Sequence, residues 1–528
     1  MPASVSLARL SWTTPDGTPL FTDLSLNFGL ERTGLVGRNG TGKTTLLRLI
    51  AGALCPRAGN VRVTGTIGLL RQDIDADTGD TIADLFGVAP ALALLARAAA
   101  GRGDPAALAE ADWTLPARIE AALRRCGLPV EPDAPLAALS GGQRTRAGLA
   151  ALIFAAPDFL LLDEPTNNLD RDGRDAVIGL LRAWRGGAIV ASHDRALLEE
   201  MDAIVELTTL GATRHGGPYS AFRARKAAVL EAARRDLADA ERNHAETRRR
   251  AQQAAERKAR KDGAGKRARA RGDQPKILMD AAKGRSEASG GANARLREAR
   301  EDEVREALAR ARCRIEVLQP LSMDIPPTGL PAGRLVLRLD GVTGGHDPAH
   351  PVIRDVSLTV TGPERIAITG PNGSGKTTLL SLCLGRLAPL SGTVERRVPC
   401  ALLDQHLGML DPALSLRQNF LRLNPAVGEN QCHAALARFR FRARDALRIV
   451  GGLSGGERMR AGLACTLGRA DPPSLLVLDE PTNHLDIDGL EALEAALFAY
   501  DGALLVVSHD EMFLETLDLD RRVALGAV

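Results

Sequence analysis

Two glycine-rich segments of one pattern stand 333 positions apart: Gly37-Arg38-Asn39-Gly40-Thr41-Gly42-Lys43-Thr44-Thr45 and Gly370-Pro371-Asn372-Gly373-Ser374-Gly375-Lys376-Thr377-Thr378. Each fits G-x-x-x-x-G-K-[ST]. Its glycines let backbone N–H groups close on phosphate oxygens, the helix that follows favours negative charge, and its lysine reaches the terminal phosphates. The hydroxyls of Thr44 and Thr377 are oxygen ligands suited to Mg²⁺. One such match arises by chance. Two matches, each followed by the same later landmarks, define two nucleotide sites.

Those landmarks extend the chemistry. Phe159-Leu160-Leu161-Leu162-Asp163-Glu164-Pro165-Thr166-Asn167 returns as Ser474-Leu475-Leu476-Val477-Leu478-Asp479-Glu480-Pro481-Thr482-Asn483, with the aspartates 316 apart. Asp163 and Asp479 complete the metal shell, and the next residues, Glu164 and Glu480, are placed to polarise an attacking water. Ser192-His193-Asp194 returns as Ser508-His509-Asp510, giving imidazoles that hold the γ-phosphate and the glutamate in register. Gln72 and Gln405, each following a Leu-Leu pair and one further residue, are neutral groups able to reach the metal or the water. Leu139-Ser140-Gly141-Gly142-Gln143-Arg144 returns as Leu453-Ser454-Gly455-Gly456-Glu457-Arg458, a serine and glycines that start a helix.

Elements must carry these groups. The apolar run 159–162 ends in Asp-Glu and reads as a buried parallel strand with its carboxylates at the carboxyl end. Strand segments at 61–63, 67–70, 335–339 and 365–369 alternate with helices that begin near Lys43 and Lys376. This implies an α/β layer architecture, with ligands outside the strand ends. The two halves are collinear except for 19 extra residues between Gln72 and Ser140, which fall in the Ala-rich stretch 90–126 and read as an additional contacting arm or a slack loop, the Gly101–Pro105 interruption favouring the loop.

The 528 residues exceed one core, and the near-neutral net charge of +3 hides an asymmetry. Residues 248–300 hold 17 Lys/Arg against 6 Asp/Glu, leaving the remainder at −8. Such a basic insert on an acidic body is the footprint of contact with nucleic acid or another polyanion. Residues 223–260 lack Pro and Gly and read as helix, 262–265 as its break, and 295–318 as a returning helix. The expected arm is a hairpin whose tip carries Lys266, Arg267, Arg269, Arg271 and the apolar Ile277-Leu278-Met279. No apolar run approaches the ~20 residues of a membrane span, and residues 1–10 lack a signal-peptide pattern. Seven scattered cysteines without metal spacing read as small buried apolar residues in a reducing, cytoplasmic setting.

In order and type, these motifs resemble the nucleotide-binding domain of ATP-binding cassette proteins, over about four-fifths of the chain. The Leu-Ser-Gly-Gly-[Gln/Glu]-Arg element is the family's signature. The resemblance implies that it completes the site of the opposite domain. Ser140, Gly141 and Gly142 then face the ATP on Lys376, and Ser454, Gly455 and Gly456 the ATP on Lys43. Hydrolysis of ATP with Mg²⁺ would release the two halves. The family stacks adenine on an aromatic upstream of each loop. Here Trp12 lies near that position in the first half, and only His346 in the second.

Twin cassettes, a charged helical linker and the Pro165–Asp170 and Pro481–Asp486 segments together resemble the ABC-F subfamily, with Asn168 standing where His484 appears in the second half. Three regions follow: a first cassette at 1–221, a basic helical arm at 222–320 and a second cassette at 321–528. Members of that subfamily are translation factors. The resemblance implies a monomer that binds the ribosome at the tRNA exit site when ATP closes the cassettes. Its linker then acts on peptidyl-site tRNA or the peptidyl-transferase region, antibiotic protection included. Lys and Arg on phosphates suit that role without base readout. The alternative reading is an ATPase subunit that energises a transporter with separately encoded membrane subunits.

Overall fold

The computed structural model describes residues 3–526 except 16, 71–79, 103–110, 168, 209–210, 272–301, 311–324, 405–406, 442–443 and 484. Met1–Ser220 and Leu321–Val528 form one compact unit, and Ala221–Pro320 a second. Inside the first unit the duplication is visible as two α/β lobes.

Each lobe is built on a mostly parallel sheet. In the first lobe the spatial order is Ile67–Leu70, Phe159–Asp163, Gly187–Ala191, Arg32–Val36, Ala203–Thr208, Gly211–Gly216, only the last strand being antiparallel to its neighbour. In the second it is Cys400–Leu403, Leu475–Asp479, Ala503–Val507, Arg365–Thr369, Arg521–Ala524, all parallel. Phe159–Asp163 is buried along its whole length, as a continuous apolar run in a sheet covered on both faces requires. A three-stranded antiparallel sheet covers each parallel one: Pro19–Phe28, Ser4–Thr13, Ala58–Thr64 and Ile353–Thr361, Leu335–Gly344, Ser391–Arg396. Between the layers lie the glycine-loop helices Lys43–Ile50 and Lys376–Cys383. Leu46, Leu47, Leu49 and Ile50 pack against Phe159, Leu161 and Ile189 on one side, and against Val5, Leu7 and Phe28 on the other. Leu379, Leu380 and Leu382 repeat this in the second lobe. The loop that precedes each helix is thus fixed by a core.

The signature segments start helices. Ser140 caps Gly141–Ala155 and Ser454 caps Gly455–Leu467, each in a reciprocal box with the residue three positions on, Gln143 or Glu457. In the second lobe this helix packs with Leu416, Phe420, Leu436 and Phe439 in a core that also takes in Leu476, Leu478 and Val506 from one face of the parallel sheet.

The structure corrects three expectations. Residues 262–265 do not break the linker helix, which runs Tyr219–Arg271. Glycine in a helix costs only about 1 kcal/mol, and the Ala, Lys and Arg around Gly263 and Gly265 outweigh it. Pairs such as Arg242–Asp239 and Arg250–Glu246 add support earlier in the helix. Of the expected tip at 263–291, residues 263–271 belong to this helix, and 272–291, with Ile277-Leu278-Met279, lie outside the described residues, as does most of the returning segment, although 302–310 are helical. The Ala-rich surplus is not slack where described. It forms Ala89–Ala99 and Leu115–Arg125, and in the second of these Leu115, Ile119, Ala122 and Leu123 are buried at helical spacing. Cys55 is exposed and Cys400 half-buried, whereas Cys126, Cys383, Cys432 and Cys465 are buried as expected.

Candidate functional site

Both glycine loops need glycine for measurable reasons. Gly37 has φ 155° and Gly42 φ 97°. A Cβ at Gly37 would fall 2.3 Å from the Leu207 carbonyl oxygen, and one at Gly42 2.6 Å from Phe21 Cζ. Gly370 and Gly375 repeat this against Leu525 and Ile353. Gly40 and Gly373 share φ 84° in open space. The lysines emerge from the first turn and fold back over the loop. Lys43 Nζ donates to the carbonyls of Gly37 at 2.7 Å and Arg38 at 3.3 Å, and Lys376 Nζ to those of Gly370 and Pro371, both at 2.9 Å. Burial lowers both ammonium pKa values, opposed by nearby carboxylates that include Glu164 and Glu480 respectively. A buried, carbonyl-bound ammonium of this kind suits the neutralisation of phosphate oxygens.

Asp163 and Asp479 stand at the carboxyl ends of equivalent strands in the two lobes, where each carboxylate accepts from the threonine after the lysine, Thr44 or Thr377. Burial raises both carboxyl pKa values, and the threonine bond and the lysine charge hold them down. One hydroxyl and one carboxylate are too few to cage a metal alone. They are what Mg²⁺ requires when phosphates and waters supply the other ligands. Gln72 and Gln405, the remaining expected metal or water contacts, lie outside the described residues.

Glu164 and Glu480 adopt left-handed backbone, φ 48° and 45°. For a residue with a Cβ this costs on the order of 1 kcal/mol. The chain holds it twice by pinning Glu164 N to the Ala191 carbonyl at 2.8 Å and Glu480 N to the Val507 carbonyl at 2.9 Å. The result aims each carboxylate at an imidazole: His193 Nε2 is 3.3 Å from Glu164 Oε1, and His509 Nε2 is 3.4 Å from Glu480 Oε1. Burial pushes the Glu164 carboxyl up to about 8 and the Glu480 carboxyl up to about 7. It holds the His193 imidazole well below its ordinary range, with Lys43 adding to the effect, and takes His509 down to about 4. Each site therefore pairs a high-pKa carboxyl with a neutral imidazole, a pattern suited to moving one proton.

The two lobes share the first site. A cavity of about 430 Å³ over Lys43 is lined by Asn39, Thr44, Thr45, Asp163, Glu164 and His193 of the first lobe and by Thr482, Asn483, Leu485 and Asp510 of the second. Asn39 N donates to Asp486 Oδ2 at 2.9 Å, and a Cβ at Gly456 would lie 2.7 Å from Asp486 Oδ1. The second lobe's signature helix thus abuts the first lobe's glycine loop through one aspartate, with Ser454 and Gly455 at the helix start. In the reciprocal direction, the carboxylate of Asp170 acts on Lys376, while Ser140 and Gly141 are exposed and Gly142 is half-buried. Asn372 and Gly373 are exposed, and Thr378 is half-buried.

Trp12 does not line the cavity. It sits opposite Phe21 in the strand pair and packs on the core, and Thr14 and Leu20 border the cavity instead. His346, for the second site, is exposed. Sequence reasoning missed Asp170 and Asp486 as loop partners, although both end the repeated Pro-Thr-Asn-x-Leu-Asp motifs. It also missed Arg174, which nothing in the repeat marks.

A family model described as ABC transporter matches residues 22–167 and 353–483. The chain is 35% identical to the tylosin resistance ATP-binding protein TlrC of Streptomyces fradiae, over 91% of this chain and 90% of the relative. It is 30% identical to the energy-dependent translational throttle protein EttA of Mycobacterium tuberculosis, over 94% and 87%. It is 31% identical to ABC transporter F family member 5 of Arabidopsis thaliana, over 92% and 70%. Among solved structures, the archaeal ribosome recycling factor aABCE1, crystallised with the stalk protein aP1, aligns with TM-score 0.57 at 18% identity, covering 98% of this chain and 87% of that one. That last likeness is one of fold. Among the described residues no helix is long and apolar enough to cross a membrane.

Proposed function

As a member of the F subfamily of ATP-binding cassette proteins, this chain is an ATPase, and we propose that its ATP-closed form works on the ribosome from the tRNA exit site. The observation that carries the reading is the shared first site, in which the Asn39 loop and the Gly456 helix meet on Asp486. A triphosphate lying there touches both lobes, so its presence favours closure and its cleavage weakens it.

In each site the roles divide by chemistry. The loop amides, with Lys43 or Lys376, hold the β- and γ-phosphates. Thr44 with Asp163, and Thr377 with Asp479, are the residues that would hold Mg²⁺, whose charge stabilises the phosphate oxygens when bound. Glu164 or Glu480 takes the proton of a water that attacks the γ-phosphorus, and the bond to the β-phosphate oxygen breaks to give ADP and phosphate. Neutral His193 or His509 steers that carboxylate and adds no charge. Ser454, Gly455 and Gly456 serve the ATP on Lys43, and Ser140, Gly141 and Gly142 the ATP on Lys376.

The linker supplies the second half of the proposal. With its excess of Lys and Arg at 248–300 it reaches rRNA or peptidyl-site tRNA through phosphate contacts. A relative named for a translational throttle supports work on translation, and one named for tylosin resistance supports antibiotic protection as one consequence of the linker's reach toward the peptidyl-transferase region. Cosedimentation of the chain with ribosomes in ATP and in ADP tests the reading. Retention only with ATP is expected, and equal partition in both nucleotides contradicts it.

A further inference from the structure

The duplication has one break inside the site. Arg174, on helix Arg171–Ala183 of the first lobe, is matched at the same offset in the second lobe by Leu490, on helix Ile487–Ala499. Arg174 lies, largely buried, between the two Ser-His-Asp turns. Its Nε lies 3.5 Å from Asp194 Oδ2, in its own lobe, and its Nη1 donates to the backbone carbonyl of His509, in the other lobe, at 3.0 Å. Asp194 is itself fixed, because its Oδ1 accepts from the amides of Ala196 and Leu197 at the start of a short helix. The guanidinium is therefore ion-paired with one turn and hydrogen-bonded to the other. Leu490 borders the cavity over Lys43 and has no group with which to return the contact.

The effect is directional. Arg174 borders the cavity over Lys43 as well, but its hydrogen bond across the lobe boundary goes to the second site's turn, and its charge acts there on Glu480, His509 and Asp510. It also sits where Asp194 and Asp510 approach each other across the lobe boundary, supplying a cation between like charges. Arginine suits the place: its fork spans an ion pair and a carbonyl at once, which a leucine or a shorter cation does less well.

We propose that Arg174 is a positioning residue for the second ATP site. Anchored on Asp194, it holds the His509 carbonyl, and so the His509 imidazole beside Glu480, only while the lobes are closed. Hydrolysis over Lys376 is thereby licensed by the first lobe, and hydrolysis over Lys43 has no reciprocal licence. The inference rests on the assignment of Glu164 and Glu480 to hydrolysis.

The test uses the full chain with one glutamate at a time replaced. In Glu164→Gln, where turnover comes from the second site, Arg174→Leu should lower kcat on the order of tenfold, the loss of one charge-assisted hydrogen bond. KM for ATP should stay within about twofold, and Arg174→Lys should recover part of the rate. In Glu480→Gln, Arg174→Leu should change kcat by less than about threefold. Equal losses in the two backgrounds, or no loss in Glu164→Gln, overturn the proposal. Single-turnover hydrolysis by Arg174→Leu with both glutamates intact reads the same thing independently. Slowing of one of two phases supports the proposal, and uniform slowing of both overturns it. Turnover that survives in Glu164→Gln/Glu480→Gln instead removes the glutamate assignment, and this inference with it.

Discussion

Arg195 of the first lobe grips Glu494 of the second through two parallel hydrogen bonds, Nη1 to Oε1 at 2.8 Å and Nη2 to Oε2 at 3.0 Å. Both side chains are largely buried. The pair is one-sided, since the positions matched to Arg195 and Glu494 in the other halves are Glu511 and Ile178. A bidentate pair between unlike partners fixes which surface meets which. Removing either side alone strands a buried charge. Arg195→Ala or Glu494→Ala should each destabilise the closed unit by about 2–5 kcal/mol, and the exchange Arg195→Glu/Glu494→Arg should restore part of that. Thermal melts in a double-mutant cycle measure it; additive losses contradict a direct pair.

Lys43→Ala and Lys376→Ala remove the ammonium that rests on each loop. Each should cut turnover at its own site on the order of a hundredfold, the scale of losing one preorganised donor to a phosphate. The double substitution should leave only background phosphate release. Unchanged release by the double variant contradicts the site.

The repeat makes much of this site legible without coordinates. Lys43, Thr44, Asp163, Glu164 and His193 each recur at a regular offset, and a duplicated spacing survives where one motif would not convince. The continuous apolar run before Asp163 likewise announces a buried strand. What the repeat cannot mark is whatever only one half possesses, such as Arg174 against Leu490 or Glu494 against Ile178. Their meaning depends on which lobe faces which, a property of packing. The linker helix shows a different limit. Gly263 and Gly265 carry a local penalty that 53 residues of helix absorb, so a local rule misplaces the break.

Glu457 offers a pH test of the signature cap, read out as fold stability. Burial raises its carboxyl pKa, yet the bidentate Arg448 pair at 2.8 and 3.1 Å and the Ser454 cap together take it down to about 2, against an ordinary 4.5. A depressed carboxyl pKa stabilises the fold above 4.5 and loses that contribution as pH falls from 4.5 toward 2. Glu457→Gln keeps a capping residue, as Gln143 does in the first lobe, and removes the ion pair. It should lower the melting temperature at neutral pH and show a shallower loss as pH falls from 4.5 toward 2. Parallel melting-temperature curves for the two proteins contradict this.

The basic arm makes a salt prediction. Replacing Lys266, Arg267, Arg269 and Arg271 by Gln should reduce the slope of log K against log salt by roughly 0.7–0.9 for each phosphate that is no longer neutralised. ATP binding should be unaffected. Titration of ribosomes at several salt concentrations measures the slope, and a slope equal to the unsubstituted chain's means that these side chains meet only solvent. Removing residues 263–291 should likewise spare nucleotide binding and weaken ribosome stimulation of hydrolysis.

The most direct test traps the closed state. Glu164→Gln/Glu480→Gln should bind ATP, fail to cleave it and sediment with ribosomes on a sucrose gradient in ATP but not in ADP. Recovery of the ATP-loaded variant free of ribosomes, or with the membrane fraction, would contradict a factor that closes on ATP to engage RNA.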